Sequence, residues 1–268
     1  MSVISASRSF VEVARDRNIT LLAAGVAYYA FSSVIPLFIL LLALTSAFGG
    51  QDLIAALLAR IGAASPAMAT LLERALSDQA GRVGASLVGT AALVWSALKV
   101  FRGIDDAFDE IYENYPDDGP LAQAKKAVIV VAAIAVSAVL IGGLAAAVNV
   151  VFSLGVPYPN LVSGLVLFAA LTLLLFPVYY VMPPIDVSVG HVVPGTIVAS
   201  AGLVVLQWAF VYYVGNAGRY ATYGVLGAML LFVTWLYVAG IVLLAGAVVN
   251  LVFEFPGGRV PAATVASE

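Results

Sequence analysis

Groups able to do acid–base, nucleophilic or metal chemistry are few in this sequence. Seven carboxylates lie between Asp105 and Asp118, and one histidine, His191, stands far from them in the chain. There is no cysteine, which excludes disulfides, thiolate nucleophiles and cysteine-based metal sites. Metal-assisted hydrolysis needs carboxylates or histidines that converge on one ion. Here Asp105, Asp106, Asp109 and Glu113 follow a helical spacing, opposite Phe101, Ile104, Phe108, Ile111 and Tyr115. That pattern reads as a solvated helix face, and its sign repels phosphate. A lone histidine such as His191 is more often an interfacial anchor than a ligand. The expectation is therefore a chain with no catalytic residue, no metal and no cofactor, and so not an enzyme.

The remaining chemistry is that of neutral polar groups. Tyr28, Tyr29, Ser32 and Ser33 stand just before Pro36 in one long apolar run. Tyr28 and Ser32 are four apart and share a helix face. Asn216, Arg219, Tyr220 and Tyr223 form a second group, among Gly215, Gly218, Gly224 and Gly227. Together the two groups suit a tyrosine-lined cavity whose one charge, Arg219, would hold an anionic headgroup. The same residues also suit a plainer role, in which Tyr and Ser hydrogen-bond between helices and the glycines allow close packing and a tight turn. Pro36, Gly224 and Gly227 are the expected kink and packing positions. Asn149, Gln207 and Asn250 are amides at bilayer depth, where they should tie helices together.

These groups need elements to hold them, and the composition says which kind. Of 268 residues, 63% are apolar and only 10% charged, with a mean hydropathy of +1.06. A soluble chain carries about 25% charged residues. Most of the surface must therefore face lipid. The net charge of −3 offers no basic footprint for nucleic acid. From Tyr220 to Phe253 there are 34 residues without a formal charge, more than the ~20 needed to span a bilayer. Asn18 to Gln51 is a second such run, too long for the ~7–15-residue apolar region of a cleaved signal.

The fold expected is all-α: a polytopic membrane protein of six transmembrane helices, with short amphipathic helices on the outer and inner faces. Residues 1–19 form an N-terminal amphipathic segment, with Phe10 and Val13 beside Arg8, Arg15 and Arg17. The membrane domain covers 20–254, with helices at about 20–48, 83–113, 122–153, 160–181, 192–215 and 222–253. Residues 255–268 are a loose tail. Pro36 frees the Ser32 carbonyl and tends to kink the first helix. Residues 51–78 read as two short amphipathic helices split by Ser65-Pro66, which should cap the outer face. The second span has only 16 charge-free residues, Val83 to Leu98, so Lys99 and Arg102 should snorkel. NYPDDGP at 114–120 and LGVPYPN at 154–160 are turns. Orientation follows Lys and Arg. With both termini inside, Arg8, Arg15, Arg17, Lys99, Arg102, Lys125, Lys126 and Arg259 fall inside, and Arg60, Arg74, Arg82 and Arg219 outside. This places the chain in the cytoplasmic membrane with both termini cytoplasmic.

Four stretches carry a family resemblance: AAGVAYYAFSSVIPLF at 23–38, WSALKVFRGIDDAFDEIYE at 95–113, MPPIDVSVGHVVPGTIVA at 182–199 and YATYGVLGAMLLFVTWLYVAGIVLLAGAVVN at 220–250. Through them the chain resembles the YihY/BrkB family of inner-membrane proteins, historically labelled ribonuclease BN-like. The resemblance implies six membrane helices, and links of some members to serum resistance or to lipid and envelope export. It favours a transporter or translocator of a lipid or other envelope amphiphile, with membrane lipids as partners and no nucleic acid. A non-transporting membrane scaffold is the alternative. Two positions depart from the family: Val248 stands where Gly-Ala-Glu-Leu-Asn usually places a glutamate, and Asp109-Glu110 where Asn-Arg is common.

The orientation is checked by single cysteines at Ser65, Asp118, Pro159 and Ala263, probed with an impermeant thiol reagent in intact cells. Labelling is expected at Ser65 and Pro159 alone. Labelling of Asp118 and Ala263 without Ser65 reverses the topology.

Overall fold

The computed structural model describes residues 3–47, 79–113, 120–153, 159–216, 224–255, 258 and 260. The amphipathic pair expected at 51–78 and the tail beyond residue 260 lie outside the described residues, as do turn residues 114–119, 154–158 and 217–223. All regular structure among the described residues is helical. In chain order the helices are α1 (Val3–Asp16), α2 (Ile19–Ala47), α3 (Gln79–Tyr112), α4 (Pro120–Ser153), α5 (Pro159–Val181), α6 (Val189–Asn216) and α7 (Gly224–Glu254).

Four stretches among the described residues are long and apolar enough to cross a membrane: Lys125–Gly143, Leu161–Val181, Val189–Tyr213 and Met229–Glu254. A shorter apolar stretch covers Ile19–Val34. Only helices with all backbone groups internally bonded, or closed barrels, can span hydrocarbon, and these runs are helices. The last two spans are 39% and 44% buried, against 18% and 11% for the first two. Helices α6 and α7 therefore form the centre, while α4 and α5 expose most of their apolar surface.

The chain divides into two compact units. One holds residues 1–27 with 102–268, and the other holds 28–101. In the smaller unit, Tyr28 and Tyr29 touch edge to face, with ring centroids 5.6 Å apart. Lys99 Nζ lies 5.5 Å from the Trp95 ring centroid, one turn along α3, a favourable cation–π placement.

In the larger unit α4 packs on α5, α5 on α6, and α6 on α7. The α6–α7 crossing is close because it is built on glycines. A Cβ on Gly195 would overlap the Gly246 carbonyl oxygen and the Asn250 side chain, and a Cβ on Gly246 would overlap the Tyr179 hydroxyl. Along the same antiparallel pair, Gly202 faces Val242, and Phe210 meets Trp235 at 5.7 Å between centroids. Asn250 Oδ1 accepts a 2.6 Å hydrogen bond from the Gly195 N–H, and Tyr179 Oη donates one of 2.6 Å to the Leu243 carbonyl. The amide expected to tie helices together does so, and a third helix, α5, joins at the same level. Between α4 and α5, Ser137 Oγ lies 3.1 Å from the Leu173 carbonyl.

The N-terminal helix α1 packs on α7. Val13 is buried, and it fills the space that a side chain on Gly258 would need. Ser7, Arg8, Val11, Glu12, Arg15 and Asp16 line its open side. Asn18 separates α1 from α2 with a φ of 49°, a left-handed conformation that Asn tolerates better than most residues. At the start of α6 the structure differs from expectation by three residues. The backbone N–H of His191 bonds to Ser188 Oγ at 3.3 Å and to its carbonyl at 3.0 Å. Ser188 is thus an N-cap, and the helix begins before the apolar run does.

The glycine crossing can be weighed directly. Gly195→Ala or Gly246→Ala should cost about 1–3 kcal/mol through overpacking, read as a lower thermal midpoint in detergent. Gly25→Ala, whose Cβ would meet nothing within 4 Å, should be neutral or slightly stabilising.

Candidate functional site

The residues expected to line a cavity fall as follows. Tyr28 is 67% exposed and Tyr29 half-buried. Ser32 Oγ donates to the Tyr29 carbonyl at 2.9 Å and Ser33 Oγ to the Ala30 carbonyl at 2.7 Å, so both hydroxyls are spent on their own helix. Pro36 lies inside α2 and Asn216 closes α6; the side chains of both are outside what is described. Arg219, Tyr220 and Tyr223 also lie outside the described residues. Gly224 opens α7 and Gly227 is half-buried in it.

What the structure does bring together is a second set of groups, beyond Arg102 on α3 and at the matching ends of α6 and α7. His191 is only 4% exposed, so it is a core residue and not the interfacial anchor expected of a lone histidine. The Ser188 cap starts α6 before His191, which then meets Tyr112 of α3. Its Nε2 lies 3.1 Å from Tyr112 Oη, and its Nδ1 lies 3.6 Å from Glu254 Oε2. The rings of Tyr112 and His191 are stacked, 6.1 Å apart, and Phe255 meets the imidazole edge-on at 6.2 Å. Phe108, one turn before Tyr112, packs against Tyr112 and Tyr179. Tyr112 is fully buried, whereas Glu254 is 50% exposed. The arrangement is a chain of polar contacts leading from an accessible carboxylate, through an imidazole, to a buried phenol.

The chemistry assigns the protons. A phenol keeps its hydrogen at neutral pH. Nδ1 faces a carboxylate, which favours Nδ1–H. Nε2 then has the lone pair that accepts from the Tyr112 hydroxyl.

Two ion pairs brace this end of the bundle. Lys126 Nζ of α4 contacts Asp105 Oδ1 of α3 at 2.6 Å, with the Asp105 side chain only 5% exposed. The reading of the 105–118 acids as a solvated face is corrected at this position. The turn between α3 and α4 returns Lys126 against Asp105, which takes the carboxylate out of water. Arg17, just after α1, pairs with Glu113 at the end of α3. No group of three or more His, Asp or Glu residues among the described residues could hold a metal ion.

Tyr112 and Glu254 went unremarked at the level of sequence. Tyr112 follows Phe108 by four, a spacing that puts both on one helix face. Glu254 is the first charge after the 34-residue run, a position that marks a membrane edge and a group close to it.

A helical chain with four candidate spans among its described residues and a polar cluster at their shared end is a multi-pass membrane protein. The family described as "Virulence factor BrkB" matches residues 10–263, so the chain belongs to that family. Similar proteins include three named UPF0761 membrane proteins. That of Alkalilimnicola ehrlichii is 31% identical over 191 residues, covering 68% of this chain and 42% of the relative. That of Aeromonas salmonicida is 32% identical over 178 residues, 63% of this chain and 60% of the relative. That of Aromatoleum aromaticum is 26% identical over 307 residues, 98% of this chain and 70% of the relative. The chain thus spans about half the length of the first two. No solved structure matches it.

The Asp105–Lys126 pair lends itself to a double-mutant cycle. Lys126→Met alone should cost roughly 2–4 kcal/mol, because it strands a buried carboxylate. Asp105→Asn combined with Lys126→Met should cost clearly less than the sum of the single changes. Thermal midpoints of the three variants in detergent give the answer.

Proposed function

We propose that this protein is a transporter or translocator of a lipid or another envelope amphiphile, held in the cytoplasmic membrane with both termini inside. The observation that carries this reading is the Glu254–His191–Tyr112 chain. Ionisable groups enclosed between membrane helices are costly, and they point to substrate or ion pathways by default. A helix bundle needing only cohesion could have filled the space between α3, α6 and α7 with apolar side chains, at lower cost. Its partners on this reading are membrane lipids and an amphiphilic substrate.

A non-transporting scaffold is the second reading, favoured by the Gly195–Gly246 crossing, which seals α6 against α7. Ribonuclease chemistry has less support. Asp105 is engaged by Lys126 and Glu113 by Arg17, so these two carboxylates are committed to ion pairs and not to a common metal. We therefore favour a protein that is not an enzyme and does not act on nucleic acid.

The test is reconstitution of the purified chain into vesicles carrying a fluorescent phospholipid, with an impermeant reductant added outside. Translocation is expected to bring inner-leaflet fluorophore within reach of the reductant, so that bleaching continues past the outer leaflet. Bleaching that stops at the outer leaflet for phospholipids of every headgroup tried would favour the scaffold.

A further inference from the structure

We propose that His191 is a proton-binding site, and that the proton is the ion whose binding reorganises the contact between α3, α6 and α7. The proposal deepens the transport reading and rests on it for the use of the proton, though not for the existence of the site.

Three observations on geometry carry it. First, both ring nitrogens have a polar partner on a different helix: Nε2 on Tyr112 of α3, and Nδ1 facing Glu254 of α7. A histidine kept only as a filler would have no need of two. Second, access is one-sided. Glu254 is half exposed, while Tyr112 and His191 are nearly enclosed, so a proton arrives along the carboxylate side. Third, the two protonation states demand different hydrogen bonds. In the neutral ring, Nδ1–H points to Glu254 and Nε2 accepts from the Tyr112 hydroxyl. Uptake of one proton from water forms one N–H bond at Nε2 and breaks no bond within the protein. Nε2 can then only donate, so Tyr112 Oη must accept and turn its own hydrogen toward another acceptor. At the same time the imidazolium and the Glu254 carboxylate become an ion pair. One proton therefore reverses the hydrogen bond to α3 and strengthens the contact with α7.

Two nearby carboxylates among the described residues are held in ion pairs. Among the described residues, the titratable groups facing the ring are Tyr112 from α3 and Glu254 from α7. Glu113, next to Tyr112, is held by Arg17, and Asp105 by Lys126 from α4. Asp186, on the segment before α6, is exposed. No lysine or arginine competes for Glu254 in the contacts seen.

The single histidine makes the test direct. Full-length protein labelled with nitrogen-15 in histidine, placed in lipid nanodiscs, gives one pair of ring-nitrogen signals to follow against pH. The expected result is the Nδ1–H form at high pH and a single transition to the doubly protonated ring as the pH is lowered. Glu254→Gln, which removes the carboxylate, should make the ring harder to protonate, and Tyr112→Phe should alter the Nε2 signal of the neutral form. Both changes are conservative, and retained helical circular dichroism confirms that each variant is folded. A ring that stays neutral down to the lowest pH at which the protein remains folded, or that titrates identically in all three proteins, overturns the proposal. The same samples separate the two readings. A titrating, variant-sensitive ring without lipid movement in vesicles supports the proton site and removes the transport reading. Lipid movement with a ring insensitive to both variants removes the proton site and leaves transport standing.

Discussion

The close approach of two backbones at Gly195 and Gly246 is the constraint on which the rest of the larger unit depends. In lipid there is little hydrophobic gain from joining two apolar helices, so association relies on contact area and interhelical hydrogen bonds. Glycine at both positions brings α6 and α7 near enough for Asn250 to reach the Gly195 N–H, a bond that a Cβ on either side would break. The absence of a side chain at Gly246 also admits the Tyr179 hydroxyl, which bonds the Leu243 carbonyl. One small-residue contact therefore sets the spacing of three helices. That spacing in turn decides how far α6 stands from α7 at His191, one helical turn before Gly195.

The polar chain at this end follows from the same geometry. Moving Gly195 away from Gly246 would carry His191 off Glu254, since both pairs lie on one antiparallel crossing. The ring is then fixed from a third side by Tyr112, whose position is set by α3 and held by the Asp105–Lys126 and Arg17–Glu113 pairs. Those ion pairs do not contact the histidine. They hold the last turns of α3, where the phenol must stand to meet Nε2. In a half-dry region such pairs contribute orientation as well as energy, because a stranded partner would be costly.

Much of the architecture was legible in residue order, for a simple reason. Long runs such as 220–253 can only be helices in lipid, so class and helix count per run follow from composition. Glycine–proline breaks such as 154–160 mark where a run must be divided. Less legible was anything that depends on two distant positions. The Ser188 cap is a local signal, but a start at 192 follows the apolar run and so misses it. Asp105 was indistinguishable from its solvated neighbours, because only the return of Lys126 from α4 buries it. Tyr28, Ser32 and Ser33 have the hydrogen-bonding capacity for a cavity, yet a hydroxyl one turn after a carbonyl satisfies that carbonyl just as readily, and the two serines do so. A sequence states a side chain's capacity, and only the fold states its partner.

The position of the carboxylate gives the last step. Where the family resemblance would place a glutamate at position 248, this chain has a valine that is fully buried, beside Ala247 and Leu251. The nearest acid on α7 is Glu254. Six residues along a helix amount to about 9 Å of rise and roughly 240° of rotation. Glu254 therefore cannot be the same group moved a little: it lies at another depth and on another face. At 248 a carboxylate would sit in the packed interior, where ionisation needs a dedicated partner. At 254 it sits half exposed, and it meets a neighbour instead. The neighbour it meets is His191. At the α6–α7 contact the enclosed ionisable group is thus an imidazole, and the carboxylate serves as its contact with water.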